Sequence, residues 1–246
     1  MKQWFSVLVL ALVFGISGCD ASLTAPPYPG PQSTVAYPPP GSAVLPPATA
    51  PLATPALKTQ MLDTFRRAEQ AYQSGDLPQA LSEYTKLIAL SPNYVDALYN
   101  RAIVYEDLGE WERALADYTQ TLQLDPQHIR AYYNRGLMYY KQAQYDLAIA
   151  DYNQAIALSP STARIYNNRG IAYDDKGDWE RALQDYTKSI ELAPDFANAY
   201  YNRATVRREI GMKAEAFADF ETYLRLEPNP IHPAQIELWM RELKGP

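Results

Sequence analysis

From residue 61 onward, apolar side chains recur at three- and four-residue steps, in pairs of short segments. One such pair is interrupted by Gly109 and stopped by Asp125-Pro126. Its apolar positions are Val95, Leu98, Ala102 and Tyr105 in the first segment and Trp111, Ala114, Leu115, Tyr118 and Leu122 in the second. Because this spacing places the apolar residues on one face of an α-helix, it predicts two amphipathic helices joined by a glycine turn.

The helix pair is repeated with a period of 34 residues. Four residue types return at this step: Pro92, Pro126, Pro160, Pro194 and Pro228; Arg67, Arg101, Arg135, Arg169 and Arg203; Ala80, Ala114, Ala148, Ala182 and Ala216; and the aromatic series Tyr84, Tyr118, Tyr152, Tyr186 and Phe220. They define five units, 61–94, 95–128, 129–162, 163–196 and 197–230. No single unit can bury its apolar faces alone, so the period predicts an all-α solenoid with a core shared between neighbours.

Smaller features indicate how the units fit together. Glycine marks the turn between helices in four units, whereas the third has Ala143, whose turn should carry slightly more strain. Small residues at Ala102, Gly136, Gly170 and Ala204 should let the two helices approach, and Trp111, Tyr145 and Trp179 should fill the gap to the next unit. An acidic series lies sixteen residues after the arginines: Glu83, Asp117, Asp151, Asp185 and Asp219. It predicts a structural ladder of salt bridges, either within units or between them.

These motifs resemble the tetratricopeptide repeat family over residues 61–230. The resemblance implies a right-handed α-α superhelix (a TPR solenoid) of five helical hairpins, whose first helices line a concave groove. Residues 231–246 follow, with Ile236, Trp239, Met240 and Leu243 on one face of a predicted helix. We expect this helix to cap the last repeat.

The resemblance also predicts which residues would face the groove. They are Tyr99, Asn100 and Ile103; Tyr133, Asn134 and Leu137; Asn167, Asn168 and Ile171; and Tyr201 and Asn202. An apolar stripe bordered by tyrosine and asparagine suits a peptide, because aromatic rings offer area at low entropy cost and an amide both donates and accepts hydrogen bonds. The alternative is that these residues serve the repeat itself.

The first eighteen residues have the features of a secretory signal. Lys2 precedes an apolar segment of about 13 residues, whereas a membrane-spanning helix needs about 20. Ile16-Ser17-Gly18-Cys19 then resembles the bacterial lipobox. That resemblance implies cleavage before Cys19, diacylglycerol on its thiol and an acylated amino group, which together anchor a protein to a membrane. The alternative is an uncleaved, short transmembrane anchor.

Residues 19–56 form the predicted linker after this signal. Between Pro26 and Pro55 lie 11 of the 20 prolines, and this stretch contains no charged residue. Such a composition cannot bury enough apolar surface to fold, so it predicts a semi-rigid spacer. A motif for a proline-recognising domain, in PPYP or YPPP, is the alternative.

Charge and chemistry exclude several classes of function. The net charge of -6 disfavours nucleic acid as a partner, and the single cysteine excludes a disulfide within the chain. The two histidines lack metal-ligand companions, and no nucleophile or phosphate-binding motif is present, so we expect no metal, cofactor, small-molecule substrate or enzymatic activity. Asp174-Asp175 as an acid–base pair is the remaining enzyme hypothesis.

Together these patterns predict an exported, membrane-anchored lipoprotein of a bacterial cell envelope. Its repeats would bind a partner protein or peptide as a scaffold or adaptor in the assembly of an envelope complex. An alternative is an accessory regulator that recruits an envelope enzyme such as a peptidoglycan hydrolase. A repeat fold does not identify its ligand, so neither the partner nor the membrane is identified.

Overall fold

The computed structural model describes residues 54–230 and 232–245. These residues contain eleven α-helices and no β-strand. The helices are α1 (Pro55–Gln73), α2 (Leu77–Leu90), α3 (Val95–Asp107), α4 (Trp111–Leu124), α5 (Ile129–Lys141), α6 (Tyr145–Leu158), α7 (Ala163–Asp175), α8 (Trp179–Leu192), α9 (Ala197–Glu209), α10 (Lys213–Leu226) and α11 (Pro233–Lys244). The predicted signal sequence, the lipidation site Cys19 and most of the predicted linker lie outside the described residues.

The helices form five antiparallel hairpins stacked in chain order, followed by α11. Within each hairpin the odd-numbered first helix packs on the second helix, and each second helix packs on the first helix of the next hairpin. The first helices α5, α7 and α9 also pack on one another, as expected on the inner side of a curved stack. The fold is therefore the predicted solenoid of helical hairpins, and we call the surface of α1, α3, α5, α7 and α9 the inner face.

The solenoid begins with a capped helix and ends with an additional helix that covers the last hairpin. Helix α1 begins at Pro55, within the predicted linker, because the Thr54 hydroxyl accepts a hydrogen bond from the Leu57 amide and proline suits the first helical position. At the other end, Ile236 and Trp239 of α11 are buried against the last hairpin. Helix α11 is the capping helix, since its apolar face covers the surface that a sixth hairpin would otherwise cover.

The turns within the hairpins require a left-handed residue. Gly75, Gly109, Gly177 and Gly211 have φ between 73° and 84°, and Ala143 adopts φ 56° in the same turn of the third hairpin. The Ala143 amide donates to the Tyr140 carbonyl, just as the Gly109 amide donates to Glu106. Ala143 therefore forms the same turn as the glycines, with the steric strain that a left-handed backbone imposes on a residue with a Cβ.

The core is built where an alanine and an aromatic ring of each second helix meet a small residue of the first helix. The alanine series and Tyr118, Tyr152, Tyr186 and Phe220 are all 0 % exposed. A Cβ added at Gly170 would lie 2.7 Å from Cε1 of Tyr186, so this contact requires glycine. The tryptophans are more exposed than residues that fill a gap between hairpins, since Trp111 and Trp179, at the starts of α4 and α8, are 38 % and 46 % exposed.

The predicted salt bridges form within each hairpin. The Arg135 guanidinium donates from Nε and Nη2 to the two carboxylate oxygens of Asp151 at 2.8 and 2.7 Å. Arg101, Arg169 and Arg203 make the same two-bond contact with their partners. Each of these arginines also donates from Nη1 to the second helix of the preceding hairpin, as Arg135 does to Thr119. This arginine ladder therefore links neighbouring hairpins as well as the two helices of one hairpin.

Candidate binding surface on the first helices

The structure places all eleven predicted groove residues on the first helices but buries most of them. Nine are at most 7 % exposed: Tyr99, Asn100, Tyr133, Leu137, Asn167, Asn168, Ile171, Tyr201 and Asn202. Only Ile103 and Asn134 are half-buried. The nine therefore offer little open surface, in contrast to the expectation that all eleven line an open groove. That any of the eleven contacts a partner stays a prediction.

Several of these residues bond to one another between hairpins. The Asn134 amide donates to the Tyr99 hydroxyl at 3.1 Å, and the Asn168 amide donates to the Tyr133 hydroxyl at 2.8 Å. In the last pair the Asn202 amide donates to the side-chain carbonyl of Asn167 at 3.0 Å. These contacts join residues 35 positions apart, and we call them the amide ladder. A buried polar group must be hydrogen-bonded, so these residues stabilise the stack of first helices.

An accessible row lies at one edge of the inner face, in the first turn of each first helix. Asp96, Arg130, Arg164 and Asn198 are the second residues of α3, α5, α7 and α9, and all four are half-buried. The Arg164 guanidinium carbon lies 5.8 Å from the centroid of the Phe196 ring, and both residues are half-buried. Burial raises the pKa of the Asp96 carboxyl, and Arg130 opposes that shift. Two adjacent arginines make this the cationic edge.

The opposite edge lies where the first helices end, and it is mainly acidic. Its charged residues are Glu106, Asp107, Lys141, Asp174, Asp175, Arg208 and Glu209. Two bonds between hairpins hold carboxylates in place: the Tyr72 hydroxyl donates to Asp107 at 2.8 Å, and the Tyr140 hydroxyl donates to Asp175. Burial, and then the Asp175 carboxylate, raise the pKa of the Tyr140 hydroxyl, so it stays protonated as a donor. We call this row the acidic edge.

The two edges are separated by the length of a first helix. Eleven residues at a rise of about 1.5 Å each place Arg164 and Asp175 about 16 Å apart along α7. Ile103 contributes apolar surface between the edges. Glu69 lies near Asp96, and one of its carboxylate oxygens is buried without a hydrogen bond, so burial and then Asp96 raise the pKa of this carboxyl. A helix or an extended strand, about 10 Å wide, fits between such edges.

Sequence reasoning missed the cationic edge. The 34-residue period contains the signal for this edge. Three positions before Tyr99, Tyr133, Asn167 and Tyr201 stand Asp96, Arg130, Arg164 and Asn198. The tyrosines were predicted to contact a ligand because aromatic residues are frequent at binding sites. A periodic aromatic residue in a solenoid is, however, also typical of the core. Variation in charge at a periodic position, as from Asp96 to Arg130, is the feature that distinguishes the accessible row.

Asp174 and Asp175, the pair considered for acid–base chemistry, lie in different surroundings. Asp174 is buried, while the Asp175 carboxylate accepts the Tyr140 hydroxyl of the preceding hairpin. Among residues 54–230 and 232–245, no group of three or more histidine, cysteine or acidic side chains could hold a metal ion. A search of the same residues for a helix long and apolar enough to span a bilayer found none.

Family models identify the repeats of this helical solenoid. A model described as a TPR repeat matches residues 69–109, 104–143 and 136–177, and two models of the tetratricopeptide repeat match 163–196 and 185–218. The matched stretches run without a break from 69 to 218, more than half of the 246 residues. The chain therefore belongs to the tetratricopeptide repeat family, and residues 54–230 have the architecture of that family.

Solved structures resemble the chain over most of their length. A crystal structure of MamA is 28 % identical, with 65 % of this chain and 94 % of that chain covered at a TM-score of 0.63. MamA from Desulfovibrio magneticus RS-1 is 24 % identical, with coverages of 69 % and 96 % and a TM-score of 0.65. YrrB, described as a TPR protein with an unusual peptide-binding site, is 19 % identical, with coverages of 74 % and 92 % and a TM-score of 0.63. A comparison with curated proteins gave no match.

Proposed function

We propose that this protein is a membrane-anchored adaptor whose inner face binds a polypeptide partner. The observation that carries the proposal is the pair of oppositely charged edges on the inner face, with Arg130 and Arg164 on one side and the acidic edge on the other. Complementary charge orients a partner and speeds its association, whereas the buried tyrosines and asparagines hold the surface rigid. The resemblance to YrrB, a peptide-binding repeat protein, supports the same class of ligand.

A polypeptide suits this surface better than a small molecule. The inner face extends over five hairpins and offers separated charges, whereas small-molecule sites are enclosed apolar cavities. A chain lying across several hairpins can satisfy both edges at once. The proposed partner therefore places acidic groups near Arg130 and Arg164 and basic groups near the acidic edge.

The binding surface is tested with defined peptides. Peptides are selected from a random display library against the full-length chain, and their affinities are measured for Arg130→Ala/Arg164→Ala. We expect this variant to bind at least about tenfold more weakly, because two charged contacts are lost. A matched variant, Lys188→Ala/Arg225→Ala, removes two exposed cations from the second helices α8 and α10 and should bind normally. Equal loss in both variants, or in neither, would refute binding on the inner face.

The membrane anchor is the second part of the proposal. It is supported by the apolar segment before Ile16-Ser17-Gly18-Cys19 and by the uncharged, proline-rich stretch that separates Cys19 from the first helix. Mass spectrometry of the protein from bacterial membranes should find a chain that begins at an acylated Cys19. Cys19→Ser should move the protein out of the membrane fraction, and an intact Met1 or an unmodified Cys19 thiol would refute lipidation.

A further inference from the structure

The second and fourth hairpins share a nearly identical segment at the start of their second helices. The segments WERALADYT and WERALQDYT, which begin at Trp111 and Trp179, lie 68 residues apart. Trp111 is the first residue of α4, and Trp179 is the first residue of α8. The second and fourth hairpins therefore present the same tryptophan beside the acidic edge, and their surroundings can be compared residue by residue.

In the second hairpin this tryptophan takes part in a site for a cation of the protein itself. Lys141, the last residue of α5, donates from Nζ to Oε1 of Glu106 at 2.9 Å. The same ammonium group lies 5.3 Å from the centroid of the Trp111 ring. We call Glu106, Trp111 and Lys141 the lysine site. An aromatic face and a carboxylate together bind an ammonium group through cation–π and ionic attraction.

Two hairpins later, 68 residues along the chain, the same positions hold Asp174, Trp179 and Glu209, which we call the counterpart site. Glu209 is the last residue of α9, as Lys141 is of α5, so a carboxylate stands where the ammonium group stood. The local charge changes from a neutral pair to two negative groups. The Trp179 ring is 46 % exposed, and among the described residues no lysine or arginine lies over it.

The cations of the same region are each paired, and none of them covers Trp179. Arg208 pairs with Glu209 and stacks on Trp239 of the capping helix, with its guanidinium carbon 3.8 Å from the ring centroid. Arg181 pairs with Asp178 and lies over the Tyr173 ring, and Lys176 pairs with Asp146 of the preceding hairpin. Arg208 thus offsets part of the negative charge but leaves the exposed tryptophan uncovered.

We propose that the counterpart site receives a lysine or arginine side chain of the bound partner, in the position that Lys141 occupies in the lysine site. The inference rests on the proposed function and adds one element to it, a basic residue at a defined place on the partner. Charge complementarity selects this occupant, because the exposed ring and the Glu209 carboxylate both attract a cation.

The test uses display-selected peptides and the full-length chain. Each selected peptide should contain one lysine or arginine that is essential for affinity. Replacing that lysine by acetyl-lysine, or that arginine by citrulline, should weaken binding about tenfold. Glu209→Lys should weaken the unmodified peptide by a similar factor and the modified peptide much less, because the variant supplies the cation itself. Glu215→Lys is the matched control, since it makes the same charge change at an exposed residue of α10 and should leave affinity unchanged.

The outcomes separate this inference from the proposed function. If peptides lose affinity in Arg130→Ala/Arg164→Ala but neither neutralisation nor Glu209→Lys affects them, the inner face binds partners and the counterpart site does not take a cation. If peptides bind every inner-face variant equally, both proposals are wrong. Because neutralising the peptide leaves the protein unchanged, misfolding of Glu209→Lys would not obscure the result.

Discussion

Removing one arginine from the arginine ladder should destabilise the solenoid strongly, and Arg135 is the best position for the test. It lies in the middle hairpin, where its guanidinium bonds both oxygens of Asp151 and also the Thr119 hydroxyl of the preceding hairpin. The Asp151 side chain is only 7 % exposed and that of Arg135 17 %. Arg135→Met keeps the alkyl chain in place and removes only the charge and the hydrogen bonds.

The expected loss of stability arises from the Asp151 carboxylate, which stays buried in Arg135→Met without its partner. Removing one partner of a buried ion pair costs about 3–5 kcal/mol, because the remaining charge is desolvated without compensation. The lost bond to Thr119 lies in the range of about 0.5–1.5 kcal/mol. We therefore expect the free energy of unfolding to fall by a total of about 3.5–6.5 kcal/mol, measured by urea denaturation followed by circular dichroism.

The pH dependence identifies the stranded carboxylate as the cause. Burial raises the pKa of Asp151, and its contacts with Arg135 oppose that rise. Without the arginine, the folded-state pKa should rise further above the unfolded value. A carboxyl with a raised folded pKa favours folding in its protonated form, so its penalty is largest above the folded pKa and disappears as the pH falls through it. The deficit of Arg135→Met should therefore be larger at pH 7 than at pH 5.

Two results decide whether this reasoning holds. The double variant Arg135→Met/Asp151→Leu should recover most of the lost stability, because a packed apolar pair can replace a buried ion pair at little cost. A loss below about 1 kcal/mol for Arg135→Met would place the pair in the class of weak surface contacts and refute the argument. A deficit that does not depend on pH would show that Asp151 is not the stranded group.

Three further predictions concern single positions. Ala143→Gly should stabilise the protein by up to about 1 kcal/mol in a thermal scan, since it relieves a left-handed alanine; no gain would mean that the turn is unstrained. Asn168→Ala should cost about 0.5–1.5 kcal/mol because it removes the hydrogen bond from Asn168 to the buried Tyr133 hydroxyl, and unchanged stability with lost peptide binding would instead make Asn168 a ligand contact. Burial lowers the pKa of His128, whose Nδ1 caps α5, so stability should fall as the pH drops below about 6.5, whereas His128→Asn should reduce this dependence; parallel pH curves would contradict it.

The fold could be predicted because its information is local and repeated. A period of 34 residues with alanine and aromatic residues at constant positions specifies two helices and the faces that they bury. The arginine and acidic series likewise predicted a ladder, although only the structure shows that each bridge lies within a hairpin and also reaches the preceding one. The start of α1 was missed because Thr54-Pro55 ends a proline-rich stretch while also forming a helix cap.

The candidate binding surface was harder to predict because the exposure of a side chain depends on how closely neighbouring helices approach. Tyr133 and Asn168 have the chemistry of ligand contacts, yet they satisfy each other across the stack. Trp179 has the chemistry of a core residue, yet it is exposed at a helix start. Core residues and ligand contacts are thus of similar residue types in this chain. What separates them is the packing between repeats, which periodicity alone does not describe.

Photocrosslinking tests most directly the claim that a polypeptide binds on the inner face. Benzoylphenylalanine is placed at Asn198, on the inner face, or at Gln184, an exposed residue of the second helix α8, and each full-length chain is irradiated with a display-selected peptide. The account predicts crosslinked peptide from the Asn198 position and little from the Gln184 position. Crosslinking from Gln184 alone, or equally from both positions, would contradict it.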